Sequence, residues 1–359
     1  MPSTLTVGTG KTYATVELAM IDAIAGDTIS IESTWSGDDA TQVNYDVAAI
    51  IIVDASSKQI GRPFQSGDTH YRHRVTSGHA FVVTADVDIT DVDIQSDSST
   101  TSDEIFRAAA NYNATITNCM LGFTGNVDQQ DVWYCEDNGT KTVTFEQCFF
   151  YDVGRSIVDQ TAGSSGTFTV NFNSCGSFNI AANGGRNAGM WFGSLAGASA
   201  TIVVNAHNCL LHHASGISDR TVACASGATV TAHFNYCIGN NPTTDLFSDV
   251  DTTDTVGTVG SYTWTAAADP GTGDFVGLVN ITSGTYNPAL TDHANNDAKG
   301  FHAVVTDAGL TIPDLDILGQ TRDKTTPLFD VGPSALTLAA GGPPSTSPHH
   351  LHLPLLGVG

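Results

Sequence analysis

Positive charge is scarce in this chain: 13 Lys and Arg stand against 37 Asp and Glu in 359 residues, a net charge of −24. A surface of that sign repels phosphate, which excludes direct binding of DNA or RNA as an expected role. Long apolar runs are lacking too. No stretch reaches the roughly 18 apolar residues that a membrane-spanning helix needs. The start, Met1-Pro2-Ser3-Thr4, has neither a basic region nor a long apolar core, so no secretory leader is expected. The seven cysteines include no Cys-x-x-Cys pair, which argues against a zinc site or a redox motif. Gly8-Thr9-Gly10-Lys11-Thr12 has Leu5 where a phosphate loop needs glycine, so nucleotide binding is not expected.

What is present is a repeat. Cys119, Cys148, Cys175, Cys209 and Cys237 each close a similar short phrase, and Val92 holds the same place one period earlier. Five residues before each stand Val87, Ala114, Val143, Val170, Val204 and Ala232; three before stand Ile89, Ile116, Phe145, Phe172, Ala206 and Phe234. All are apolar, and the residues between them are polar or charged. Alternation of period two predicts a strand with one buried face. The two positions before each cysteine are mostly polar, as in Thr117-Asn118 and Asn173-Ser174, and predict a tight bend, because Asn and Asp tolerate the backbone angles that a bend needs. Ile94, Leu121, Phe150 and Leu211 then resume an inward face. Strand, bend, strand and long return loop make one coil of a parallel β-helix, stacked at a period typical of solenoids. The cysteines are expected to form a buried column of small apolar side chains, although a disulfide between successive members remains an alternative.

Short strands and turns dominate the rest of the composition. The exception is residues 15–26, where Val16, Ala19, Met20, Ala23 and Ile24 have helical spacing, Thr15 can cap the start and Gly26 can end it. A helix there would cover the first end of the tube. Beyond Leu338, residues 339–348 read as a Pro/Gly-rich linker. An apolar C-terminal arm follows, with Leu351, Leu353, Leu355 and Leu356 as attachment candidates beside His349, His350 and His352.

Tyr13-Ala14-Thr15 through Ala25-Gly26-Asp27-Thr28-Ile29, the phrase Thr142 to Phe150, Tyr286 to Leu290, Asp314 to Arg322 and Phe329 to Pro333 together resemble right-handed β-helix proteins of the pectate-lyase-like superfamily. The resemblance spans roughly residues 6 to 336. It implies an all-β, single-stranded right-handed parallel β-helix of about eight to ten coils. The expected organisation is an N-terminal cap and first coil over 1–34, helical coils over 35–260, a closing segment over 261–338 and the linker and arm over 339–359.

The same superfold carries lyases, hydrolases, phage tailspikes and inert surface proteins. The expected role is a structural protein of a phage virion, a capsid decoration protein or a tail spike or fibre component. It would be made in the host cytoplasm, displayed on the virion surface and available for adhesion to host polysaccharide. A homotrimer bound to other virion proteins is expected, with no nucleic-acid or membrane partner. The alternatives are a polysaccharide lyase or glycoside hydrolase and a non-catalytic surface adhesin; a non-enzyme is expected ahead of an enzyme. The Asp-Asp with Gly-His-Gly pattern of the hydrolases and the Arg-x-Pro-x-x-Arg pattern of the lyases are both missing. The catalytic candidates are Asp131, Glu136, Asp152 and Arg155, on a loop and its neighbour one coil on. Trp133, Tyr134 and Trp191 are candidates for stacking on sugar rings. No metal or cofactor is expected; a lyase of this resemblance would add Ca2+ held by Asp side chains.

Overall fold

The computed structural model describes residues 1–33, 35, 38–54, 58, 68–97, 103–109, 112–124, 130–136, 139–160, 165–178, 180, 192–194, 199–207, 209–211, 229–235, 238–239, 258–265, 297–298 and 329–330. The architecture is all-β, with parallel strands in three sheets and one helix.

The first sheet has ten strands: Thr4–Val7, Thr28–Ile31, Ile50–Val53, Val87–Thr90, Asn113–Thr117, Lys141–Glu146, Ser165–Asn173, Ser199–His207, Thr229–Asn235 and Thr258–Thr265. The second has eight: Asp38–Asp39, Arg72–Val75, Asp93–Ser96, Met120–Phe123, Phe149–Tyr151, Gly176–Phe178, Leu210–Leu211 and Ile238–Gly239. The third has six: Val43–Tyr45, Phe81–Val83, Phe106–Ala108, Trp133–Cys135, Val158–Gln160 and Phe192–Ser194. From Thr28 to Ser194 the chain visits first, second and third sheet in turn and returns to the first, and beyond Ser199 the described strands alternate between the first and second sheets, each pairing with its counterpart one circuit on. This stacking is compatible with a β-helix solenoid. Asp297–Ala298 and Phe329–Asp330 form a separate antiparallel pair.

The register of the first sheet follows the repeat position by position. Val87, Ala114, Val143, Val170 and Val204 are paired in sequence and buried, as are Ile89, Ile116, Phe145, Phe172 and Ala206. The rings of Phe145 and Phe172 stack at 5.5 Å and 9°. In the third sheet Phe81, Phe106 and Trp133 stack at 5.1 and 4.9 Å. Each such aromatic pair adds about 0.5–1.5 kcal/mol beyond the area it buries. Inward side chains of all three sheets join one apolar cluster.

The bend recurs in backbone detail. Asp91, Asn118, Gln147 and Ser174, the residues just before the column position, have φ of 65, 58, 54 and 51°. A left-handed non-glycine residue costs about 1–2 kcal/mol. The stack offsets that cost, since each of these residues donates its N–H to a carbonyl on the next circuit, at 2.8–3.1 Å. Cys119, Cys148, Cys175 and Cys209 follow the bend and are fully buried thiols. Each thiol reaches a carbonyl of the preceding circuit: Ile89, Ile116, Phe145 and Phe172, at 3.2–3.8 Å. A residue here must be small, apolar and a weak donor, and cysteine is all three. Burial pushes the Cys119 and Cys175 thiols well above their ordinary range. Cys237 lies outside the described residues.

The helix α1 (Val16–Asp22) has Thr15 as its N-cap, whose side chain accepts from Leu18 N at 3.3 Å. Val16, Ala19 and Met20 are its buried residues. Two expectations are corrected here. Ile24 is exposed, because α1 stops at Asp22 and Ala23 is already extended. The six circuits up to Ser194 also hold a third strand where one long return loop was expected; three residues are too few to display an alternating pattern. Of the closing segment, only residues 261–265, in the last strand of the first sheet, and the short antiparallel pair are described, and the arm lies outside the described residues.

Two substitutions test the stack. A Cβ on Gly122 would meet the Tyr151 ring and its backbone oxygen at 2.5 Å, so Gly122→Ala should cost about 1–3 kcal/mol. Phe145→Ala empties a site flanked by Trp133, Phe150 and Phe172 and should cost about 3–5 kcal/mol. Both are read as lowered urea midpoints.

Candidate functional site

Where the chain turns into the third sheet, one position is occupied on successive circuits by His79, Glu104, Asp131 and Ser156, each two residues before a paired strand. Strand spacing brings such positions within about 4.8 Å of one another along the stack. His79 Nδ1 lies 2.8 Å from Glu104 Oε2. Arg107 Nη1 lies 2.9 Å from His79 Nε2. Arginine only donates, so Nε2 is the accepting nitrogen in that contact, and the Glu104 backbone N lies 3.2 Å from Nδ1. Arg107 also pairs with Glu136 at the surface.

The next step of the row is denser. Arg155 donates from Nε to Asp131 Oδ1 at 3.0 Å, and its Nη2 pairs with both Asp131 and Asp159. Ser156 N adds a hydrogen bond to Asp131 Oδ1 at 3.0 Å, and Gln160 N donates to Asp159 Oδ1 at 2.9 Å. The guanidinium sits 5.7 Å from the centre of the Tyr134 ring. Asp131 and Asp159 are buried, and burial is the main cause that raises both carboxyls, Asp159 to about 6. Repulsion from Asp159 raises Asp131 further, against the pull of Arg155. Two buried carboxylates share one guanidinium, so the pair retains a proton into the weakly acidic range.

A second cluster covers the outward side of the second sheet on the early circuits. Arg72 makes a two-point contact with Asp38, at 2.8 Å from both Nε and Nη2, and donates from Nη1 to Gln95 at 2.8 Å. Arg74 pairs with Asp38 and Asp97. His70 Nε2 lies 3.1 Å from Asp93 Oδ2, and Tyr151 reaches Asp93 Oδ1 at 3.5 Å from two circuits away. Burial raises the Asp93 carboxyl.

The structure brings Asp131 and Arg155 together and adds Asp159, which lay near them in sequence. It places Glu136 on the flanking surface pair with Arg107. Asp152 sits elsewhere on its circuit, at a left-handed turn (φ 52°) just after the second-sheet strand. Trp133 is a correction. It belongs to a strand rather than a loop, it is fully buried, and its Nε1 donates to Tyr112 at 3.3 Å. Its ring is packed between Phe106 and Phe145 and has no face for a sugar. Tyr134, its neighbour, points to the other side and is half-buried beside Arg155. Trp191 and the four leucines of the arm lie outside the described residues. His79 and Glu104, just before three-residue strands, and Arg107, within one, carry no alternating pattern in the sequence. The signal was present, since Glu104 precedes Asp131 by the same interval that separates Val92 from Cys119.

Among the described residues, no group of three or more His, Cys, Asp or Glu side chains could hold a metal ion, and no helix is long and apolar enough to cross a membrane. No family model matches the chain, and neither a curated protein nor a solved structure matches it.

Arg155→Met strips the charge partner from two buried carboxylates and should cost about 3–5 kcal/mol. The pH dependence has a defined sign. A carboxyl raised in the folded state contributes stability below its unfolded value, near 3.9, and loses it as pH rises through the folded value, about 6 for Asp159. The urea midpoint should fall between these limits, and Asp159→Asn should flatten that fall.

Proposed function

We propose that this chain is a right-handed parallel β-helix that serves as a structural surface protein of a phage virion, a decoration protein or a spike or fibre component. The observation that carries the reading is how the densest ionisable row is closed on itself. Glu104 meets His79, and Asp131 and Asp159 share Arg155, all three carboxylates being buried. Such a row ties circuit to circuit and turns its carboxylates toward internal partners. A stiff stack with internal charge pairing suits a rod that must hold its shape on a particle. The outward first-sheet face, with Asp88, Thr115, Thr144, Asn171 and Asn205 in one line, is polar along that line and suits contact with a host polysaccharide. The assembled form is a homotrimer attached to other virion proteins.

Antibody against residues 35–260, used for immunogold microscopy of lysates of the source culture, tests this. Label on particles is expected, at heads for a decoration protein or at tail tips for a spike. Particles without label would overturn the reading.

One observation favours a second reading, a polysaccharide lyase or hydrolase. Asp159, at about 6, is tuned for proton transfer near neutral pH, and Tyr134 and Arg155 lie beside it. This reading predicts new reducing ends or unsaturated sugars from a bacterial glycan panel, lost in both Asp131→Asn and Asp159→Asn. Unchanged glycans would remove it.

A further inference from the structure

The outer face of a solenoid cap is normally polar, because it ends the stack and faces water. Here it is not. Leu18, Ile21 and Ile24 are 48, 67 and 56% exposed at the capped end, while Val16, Ala19 and Met20 hold the other side of α1 to the stack. Three large aliphatic side chains left in water within seven residues of chain mark a contact surface. Their surroundings are acidic and already fixed. Glu17 accepts from Asn44 N and Nδ2 at 2.7 and 2.9 Å, Asp22 accepts from Tyr13 at 3.0 Å, and Asp27 accepts from Ser3 N at 2.6 Å.

That rim restricts the occupant. Pairing two caps face to face would set Glu17 and Asp22 against their own copies, on chains of net charge −24, and like charges opposed across an interface repel. The occupant must be apolar and free of acidic groups. One part of the chain has that composition: from Val331 to Gly359 there is no Asp, Glu, Lys or Arg, and residues 349–356 combine Leu351, Leu353, Leu355 and Leu356 with His349, His350 and His352. Imidazoles gain positive charge below about pH 6.5, which complements the rim.

We propose that the cap face of α1 is the docking site for the C-terminal arm of a second copy of this chain. The first and tenth strands of the first sheet are nine steps apart, roughly 40 Å at the usual strand spacing. The contact is heterologous, cap to arm, so it joins copies into a ring or a chain.

Sedimentation velocity of the full chain tests this. Association that grows with concentration and is stronger at pH 6 than at pH 8 is expected. It should be lost in Leu18→Asp/Ile21→Asp and on deletion of residues 339–359, with an unchanged far-ultraviolet spectrum. A synthetic peptide of residues 345–359 should dissociate the full-chain assembly, a readout that stands even if the cap variant fails to fold. A full chain that sediments as a monomer throughout, or association that survives loss of the arm, would overturn the proposal.

Discussion

In-register parallel stacking is the constraint on which everything else in this molecule depends. Each backbone group along a strand finds its partner on the circuits above and below, so a residue's neighbours are its own counterparts one period away. A ring at one inner position must lie on a ring or an aliphatic chain at the next, as Phe145 lies on Phe172. A left-handed bend on one circuit demands a left-handed bend on the next, and Asp91, Asn118, Gln147 and Ser174 supply it without glycine. The cysteine column follows from the same constraint: the space behind the bend is small, and a carbonyl of the preceding circuit lies within reach of a weak donor.

Stacking also makes charge cooperative. Like charges on successive circuits would stand one strand spacing apart, so a row of ionisable residues has to alternate or be neutralised. Both solutions occur. His79 is set against Glu104, and Arg155 bridges Asp131 and Asp159. On the outward side of the second sheet Asp38 is followed in register by Arg72 and then by Asp93. Glu104, Asp131, Asp159, Arg72 and Asp93 are buried, so their pairs matter more for uniqueness of register than for net stability: a slipped circuit would leave a buried charge without its partner.

The first sheet and its bend were legible in the sequence because their strands are long enough to alternate and their period is steady. Val87 to Val204 and Ile89 to Ala206 could be aligned by eye, and their pairing follows that alignment. The third sheet was hidden for the opposite reason, since Phe106–Ala108 and Trp133–Cys135 are three-residue strands. That omission propagated to the site. Trp133 read as a loop aromatic when it is an inward strand residue, and Glu104 and His79 went unnoticed although they share a register position with Asp131. The early circuits were harder still. Between Ile51 and Ile89, which pair in the sheet, the spacing departs from the later period, so Arg72, His73 and Asp93 had no repeat to anchor them.

The register itself is the most direct test. Thr115 and Thr144 are paired one circuit apart on the outward face of the first sheet, as are Asn113 and Thr142. Counterparts one strand spacing apart, about 4.8 Å, fall within the Cα separation of a disulfide, whereas diagonal positions do not. Thr115→Cys/Thr144→Cys should therefore cross-link under mild oxidation, and Thr115→Cys/Thr142→Cys should not, the products being separated by electrophoresis without reductant. Cross-linking of the diagonal pair in preference to the direct one would contradict the stacked register, and with it the account of the fold and the charged row.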